Sequence, residues 1–221
     1  MLMSKGNTNA KTKKNKRESL ILYLKPGYVL GHNMCPKASE GCLAACLNTA
    51  GRGAFNNVQS ARERKTIEFL KDRRAFLKQC ADEINKAAKK VDELAVRMNG
   101  TSDLKLVEMM TNENQIASNV VFYDYTKIEK KAGRRILSSG HLYVVTFSRS
   151  EVNESEAIEV LKRGGIVAAV FNELPQTWNG YEVIDGDKAD DLMLDYEYPI
   201  VLGLKAKGKA RKDNSGFTIK I

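Results

Sequence analysis

Residues 155–171 run Ser155-Glu-Ala-Ile-Glu-Val-Leu-Lys162, then Arg163-Gly164-Gly165, then Ile166-Val-Ala-Ala-Val-Phe171, and this stretch decides the fold class. The first eight residues carry apolar side chains at helical spacing, and the glycine pair ends the helix as C-terminal glycines usually do. The six that follow are apolar on both faces. That pattern marks a strand covered on each side, the usual condition of a parallel sheet in an α/β protein.

The same alternation recurs along the chain. Short β-branched or aromatic runs at Ser19 to Leu24, Leu94 to Met98, Asn119 to Tyr123, Leu142 to Phe147, Ile166 to Phe171, Tyr181 to Ile184 and Ile200 to Leu204 predict seven strands. Between the first two lies the longest helical pattern, Val58 to Val91, where Ile67, Leu70, Leu77 and Ile84 recur among charged residues as one helix or two. A further helix is expected from Leu104 to Ala117. Strand, helix, strand in repetition implies right-handed parallel crossovers, in either an open doubly wound sheet or an α/β barrel. The expectation is a partial or closed parallel barrel of about six or seven strands, with a cysteine loop after the first, because polar residues follow every strand.

The chain has 221 residues and 43% apolar content, enough for one substantial core. Residues 1–17 hold six of the Lys and Arg residues and no acid, and are expected to be a disordered basic arm preceding a single domain over 18–221. A second basic cluster, Lys205, Lys207, Lys209, Arg211 and Lys212, lies near the other end. The net charge of +9 therefore reports two basic termini that suit contact with nucleic acid phosphates, around a nearly neutral body. No apolar stretch reaches the roughly 18 residues of a membrane span, and the lysine-rich start lacks a secretory h-region, so the expected location is the cytosol.

Three of the four cysteines fall within twelve residues, as Cys35, Cys42 and Cys46. Cytosolic thiols stay reduced, so such a cluster points to metal ligation more than to disulfides. Cys42 and Cys46 are four residues apart and share a face if the segment is helical, while Cys35 approaches from the preceding loop. His32 or Cys80 would complete a four-coordinate zinc site; without either, three thiolates suit an iron-sulfur cluster with one open iron. Cys80, among Phe76, Leu77 and Ile84, reads as a buried apolar residue.

In parallel α/β architectures the loops after the strands meet on one face. That rule nominates Asp103, Asp124 and Lys127 as catalytic residues, and Asn99, Thr101, Ser148 and Arg149 as the residues that bind a cofactor. Lys127 and Arg149 suit an anionic small molecule or nucleotide substrate, and Asp103 or Asp124 suits a ribose contact or a proton transfer. There is no Walker loop, and two histidines give little support to paired-histidine metal chemistry.

A three-cysteine loop after the first strand of an α/β barrel resembles the radical S-adenosylmethionine superfamily. The resemblance implies a partial barrel, a 4Fe-4S cluster on Cys35, Cys42 and Cys46, S-adenosylmethionine on the open iron, and Asn99 to Asp103 in the place of that superfamily's Gly-Gly-Glu stretch. The cysteine spacing, six then three intervening residues, differs from the superfamily's, and no Gly-Gly-Glu follows the second strand. The chain is also similar to a group of phage-encoded proteins, through Cys35-Pro36 to Cys46, Gly100 to Asp103, Tyr125 to Lys127, Asp185 to Asp187 and Lys205 to Gly208. That likeness implies a phage protein acting in a bacterial cytosol. The alternative to an iron-sulfur enzyme is a zinc-stabilised protein that binds nucleic acid or a host partner without catalysis.

Overall fold

The computed structural model describes residues 1–6 and 14–221. In chain order its elements are β1 (Ser4–Lys5), β2 (Glu18–Ile21), β3 (Tyr28–Val29), β4 (His32–Asn33), α1 (Glu40–Ala44), α2 (Asn56–Lys71), α3 (Arg73–Ala88), β5 (Leu94–Arg97), α4 (Leu106–Glu113) and β6 (Val120–Thr126). There follow β7 (Gly133–Ile136), β8 (Leu142–Ser148), α5 (Glu154–Lys162), β9 (Val167–Phe171), β10 (Thr177–Trp178), β11 (Tyr181–Asp185), β12 (Val201–Lys205) and β13 (Thr218–Ile219).

All seven expected strands form, and they pair in parallel in the order β2-β5-β6-β8-β9-β12-β11. Four short strands extend this body into an eleven-stranded sheet: β1, β7 and β10 run antiparallel to their neighbours, and β13 runs parallel to β9. The architecture is therefore a mixed α/β fold with a large, mostly parallel sheet. Among the described residues the pairing runs as a path from β1 to β10, and a closed barrel is not seen.

Side-chain alternation sorts the strands onto two faces. On one face Leu20, Val96, Phe122 and Val145 pack with Phe76, Ile84 and Met110 of the helices, and Phe147, Val167 and Phe171 pack with Val160 and Leu161 of α5. Ala95, Tyr123, Val144, Ala168 and Leu202 point the other way and are covered by Met193 and Leu194. The helices thus lie on one side, as a monotonic strand order from β2 to β9 requires.

The long helical pattern resolves into two helices because Asp72 leaves helical geometry and caps α3, its carboxylate accepting from the Ala75 amide at 3.0 Å. The expected basic arm differs at its flanks, and residues 7–13 lie outside the described residues. Leu2 and Met3 are buried, the Glu83 carboxylate accepts from both their amides, and Ser4–Lys5 pairs with β2. Lys16 and Arg17 form ion pairs with Asp195 at 2.9 and 3.0 Å.

The junction of β8 and β9 positions the site. These strands pair over only Phe147–Val167 and Ser148–Ala168, and β13 takes up the free C-terminal half of β9. The segment leading into β13 is thereby brought to the end of β8. Ile84 of α3 is fully buried, so Ile84→Ala is expected to cost about 2–5 kcal/mol, read as a lower urea midpoint at unchanged slope. A loss below about 1 kcal/mol would show that α3 is not packed on the sheet as described.

Candidate functional site

The cysteine loop is held by polar contacts along its whole length. Asn33 Oδ1 accepts from the Cys35 amide at 2.9 Å, and Ser39 caps α1 by accepting from the Cys42 amide at 3.2 Å. From the loop after β8, Glu151 accepts from the Ser39 hydroxyl and the Gly41 amide, both at 2.8 Å. The Cys35 thiol donates to the Thr101 carbonyl at 3.6 Å, and Cys46 Sγ accepts from the Asn48 amide at 3.4 Å. All three thiols are partly buried. Burial pushes Cys35 up to about 11, with a smaller push from the charges of Cys46 and Cys42. Burial also raises Cys42, opposed by Lys127, and raises Cys46, opposed by the Asn48 amide.

The loop therefore runs along the C-terminal edge of the sheet, with Cys35 on the Thr101 carbonyl after β5 and Cys42 beside Lys127 after β6. Among the described residues, however, no three His, Cys, Asp or Glu side chains are gathered closely enough to share a metal ion. Neither expected fourth ligand joins them. His32 is exposed on the β3–β4 hairpin, and Cys80 is buried in the helical core, where burial raises it to about 12. The chemistry of the donor set still suits a thiophilic metal, since three soft sulfur donors stand beside cations able to offset thiolate charge.

The strand ends bring most of the nominated residues together, but in unequal roles. Asp124 is 1% exposed and accepts from the Asn99 amide at 2.7 Å, Asn99 Nδ2 at 3.0 Å and the Tyr143 hydroxyl at 3.0 Å. Asn99 Oδ1 accepts from the Ser102 hydroxyl at 3.0 Å and the Leu104 amide at 2.9 Å. Thr101 donates its hydroxyl to the Leu24 carbonyl at 2.5 Å. Gly100 makes this turn fit, because a Cβ there would stand 2.7 Å from the Leu22 carbonyl oxygen. Asn99, Thr101 and Asp124 thus build the rim.

Asp103, Lys127 and Ser148 stand closer to the thiols. Asp103 accepts from the Thr126 hydroxyl at 2.9 Å, the Lys127 amide at 2.9 Å and Lys131 Nζ at 3.1 Å. Lys127 Nζ donates to Ser148 Oγ at 2.8 Å, lies 5.6 Å from the centre of the Phe217 ring and faces Cys42. Arg149 binds Glu154 at 2.6 Å and the Phe217 carbonyl at 3.1 Å, so it anchors the C-terminal segment and leaves the thiols to Lys127. That segment forms a wall, with Ala45, Ala210 and Phe217 packed together against Cys42.

One residue of the rim carried little sequence signal. Arg62 of α2 is 9% exposed and acts on Cys46, yet it sits in a helix full of charged residues. On the face away from the helices, Arg97 pairs with Asp190 at 3.0 Å and lies 4.5 Å from the Tyr125 ring centre. Burial alone would depress the Arg97 guanidinium, but Asp190 holds it above its ordinary value.

Fold and site together define an α/β protein that carries a thiol loop against the C-terminal edge of a mostly parallel sheet. The family described as Gene product 88 matches residues 1–221, and the chain belongs to it, a phage-type protein family. No curated protein and no solved structure matches the chain, so the likeness to radical S-adenosylmethionine enzymes gains no support from the comparisons. No helix among the described residues is long and apolar enough to cross a membrane.

Asp124 gives the site a defined pH response. Burial raises its carboxyl from 3.8 to about 6, against the charge of Arg97 and the Asn99 bonds. The folded chain therefore keeps a proton that the unfolded chain releases, and this stabilising contribution is complete below the unfolded value and lost as pH rises through the folded one. Unfolding free energy should fall by on the order of 2–3 kcal/mol across that window, and Asp124→Asn should flatten the fall. Superimposable pH–stability profiles for the two proteins would show that Asp124 does not carry it.

Proposed function

We propose that this phage-type protein is a thiol-centred metal protein of the host cytosol, with Cys35, Cys42 and Cys46 as ligands and the C-terminal strand edge as its working face. The carrying observation is that one loop brings three half-buried thiols to the strand ends, Cys35 on the Thr101 carbonyl and Cys42 against Phe217 and Lys127. Two occupants suit three sulfur donors: a 4Fe-4S cluster, with S-adenosylmethionine at an open iron, or zinc. The first makes the protein an enzyme in a partial barrel, a reading supported by the monotonic strand order from β2 to β9 and the one-sided helices. Lys127 and Asp103 are then the residues nearest the ligand, the ammonium to orient an anionic substrate and the carboxylate to hold Lys127 and Lys131 in place.

Each thiol is neutral as folded, so metal loading must displace protons and should strengthen as pH rises. Anaerobic purification followed by an absorption spectrum and iron, sulfide and zinc analysis tests the proposal. A brown protein with iron and sulfide supports the cluster, and a colourless protein with stoichiometric zinc supports the structural metal. Replacement of all three cysteines by Ala should remove the metal and lower the thermal midpoint. Unchanged metal content and stability in that variant would sink both forms.

A second reading, nucleic-acid binding by a zinc-stabilised fold, is favoured by one feature. The turn 208–212 lies against the cysteine loop at Ala50, and it exposes Lys209, Arg211 and Lys212 next to Lys205. Binding of a labelled oligonucleotide should then fall steeply with salt, by about 0.7 in log K per decade for each phosphate neutralised on a single strand. Salt-independent binding, or none, would remove this reading.

A further inference from the structure

Arg62 is a buried cation without a carboxylate partner among the described residues. It is 9% exposed, one Nη donates to Asn48 Oδ1, and its guanidinium lies 5.0 Å from the Tyr23 ring centre. Its Nε is buried and makes no hydrogen bond. Burial depresses the guanidinium, and the groups that oppose this are the Tyr23 hydroxyl and the Cys46 thiol, neither of them a carboxylate. The other strongly buried arginines have carboxylate partners, Arg97 in Asp190 and Arg149 in Glu154, although the Arg97 Nε also makes no hydrogen bond.

Burying a charge without a counter-ion is unfavourable, and a guanidinium presents a planar fork that an oxyanion fits. A second cation completes the arrangement. Lys127 Nζ donates to Ser148 Oγ and to the Ser148 carbonyl, neither of them charged, and Cys46 lies within electrostatic reach of both Lys127 and Arg62. Asp103 and Glu151 act on Cys42 alongside Lys127. Cys46 thus lies within reach of two cations, whereas Cys42 meets Lys127 together with two carboxylates.

We propose that the buried Arg62 guanidinium, with Lys127 as the second cation of the thiol neighbourhood, forms a subsite for a phosphate-class oxyanion. Its location makes the ligand of the thiol site a phosphate-bearing small molecule. That assignment of a substrate class rests on the thiol-centred reading above, whereas the anion subsite stands on the buried guanidinium alone.

Calorimetric titration with inorganic phosphate at constant ionic strength, on the full chain as purified and again after chelator treatment, tests the subsite. Saturable binding is expected in both samples. Arg62→Met should weaken it at least about tenfold, since bonds from a charged donor are lost, and should leave the phosphate-free thermal midpoint unchanged or higher. Arg62→Lys, which keeps the charge and loses the fork, should bind phosphate more weakly than wild type at a normal midpoint, and it serves if the Met variant does not fold. Lys127→Met should weaken phosphate binding as well. Equal binding by wild type and Arg62→Met, or no binding by wild type, overturns the proposal. So does release of metal by Arg62→Met with phosphate inert, since Arg62 would then be the counter-ion of the thiolates. Phosphate binding that survives in the Cys35, Cys42 and Cys46 triple variant, alongside unchanged metal content there, would sink the metal reading and leave the subsite standing.

Discussion

One buried carboxylate holds the working edge of this sheet together. Asp124, at the end of β6, accepts hydrogen bonds from Asn99, just past β5, and from Tyr143 on β8, so three neighbouring strands share a single acceptor group. Removing such a group from water is unfavourable, which is why its carboxyl titrates near 6 despite three donors and the positive charge of Arg97. The arrangement persists because both carboxylate oxygens have hydrogen-bond partners. From Asn99 the order spreads outward: its side chain fixes the turn through Ser102 and Leu104, the Thr101 carbonyl takes the Cys35 thiol, and Asp103 collects Thr126, Lys127 and Lys131.

The thiols occupy the boundary between two electrostatic regions. Asp103 and Glu151 disfavour a thiolate at Cys42, whereas Lys127 favours it, and Arg62 with Lys127 favours one at Cys46. Burial outweighs all of these, so the sulfurs are protonated unless something binds them. A metal bound there would have to displace protons, and the cations near Cys46 would supply part of the charge balance that a thiolate centre needs.

The parallel body was legible in the sequence because its strands are covered by helices on one face and by the 192–194 segment on the other. Runs such as Ile166 to Phe171 must then be apolar throughout, and they stand out from their surroundings. The short additions were not legible. Strand β7, Gly133–Ile136, has alternating exposure and two arginines, and it joins the sheet through backbone bonds to β8 that leave no mark on residue type. Leu2 and Met3 were hidden by their lysine-rich context, although both are buried under the grip of Glu83. The strand-end rule located the rim but could not separate residues that build it, such as Asn99 and Asp124, from those that face the thiols, such as Lys127. That difference lies in which donors and acceptors are already consumed, a property of packing at residues distant in sequence.

The same consideration explains why Arg149 is far from incidental even though it does not reach the thiols. Its guanidinium is divided between Glu154 and the carbonyl oxygens of Gly216 and Phe217. Those carbonyls belong to the segment that enters the gap between β8 and β9, so Arg149 fixes where Phe217 lies. Phe217 in turn packs with Ala45 and Ala210 against Cys42 and offers its ring to Lys127. One face of the thiol neighbourhood is therefore made by a segment more than 150 residues away in the chain, held by an arginine whose role is positioning. Cysteine spacing alone does not fix the sulfurs, because α1 ends at Ala44 and Cys46 lies beyond it in non-helical geometry instead of sharing a helical face with Cys42. The surroundings that decide what those sulfurs bind come from the strand ends and from this C-terminal wall.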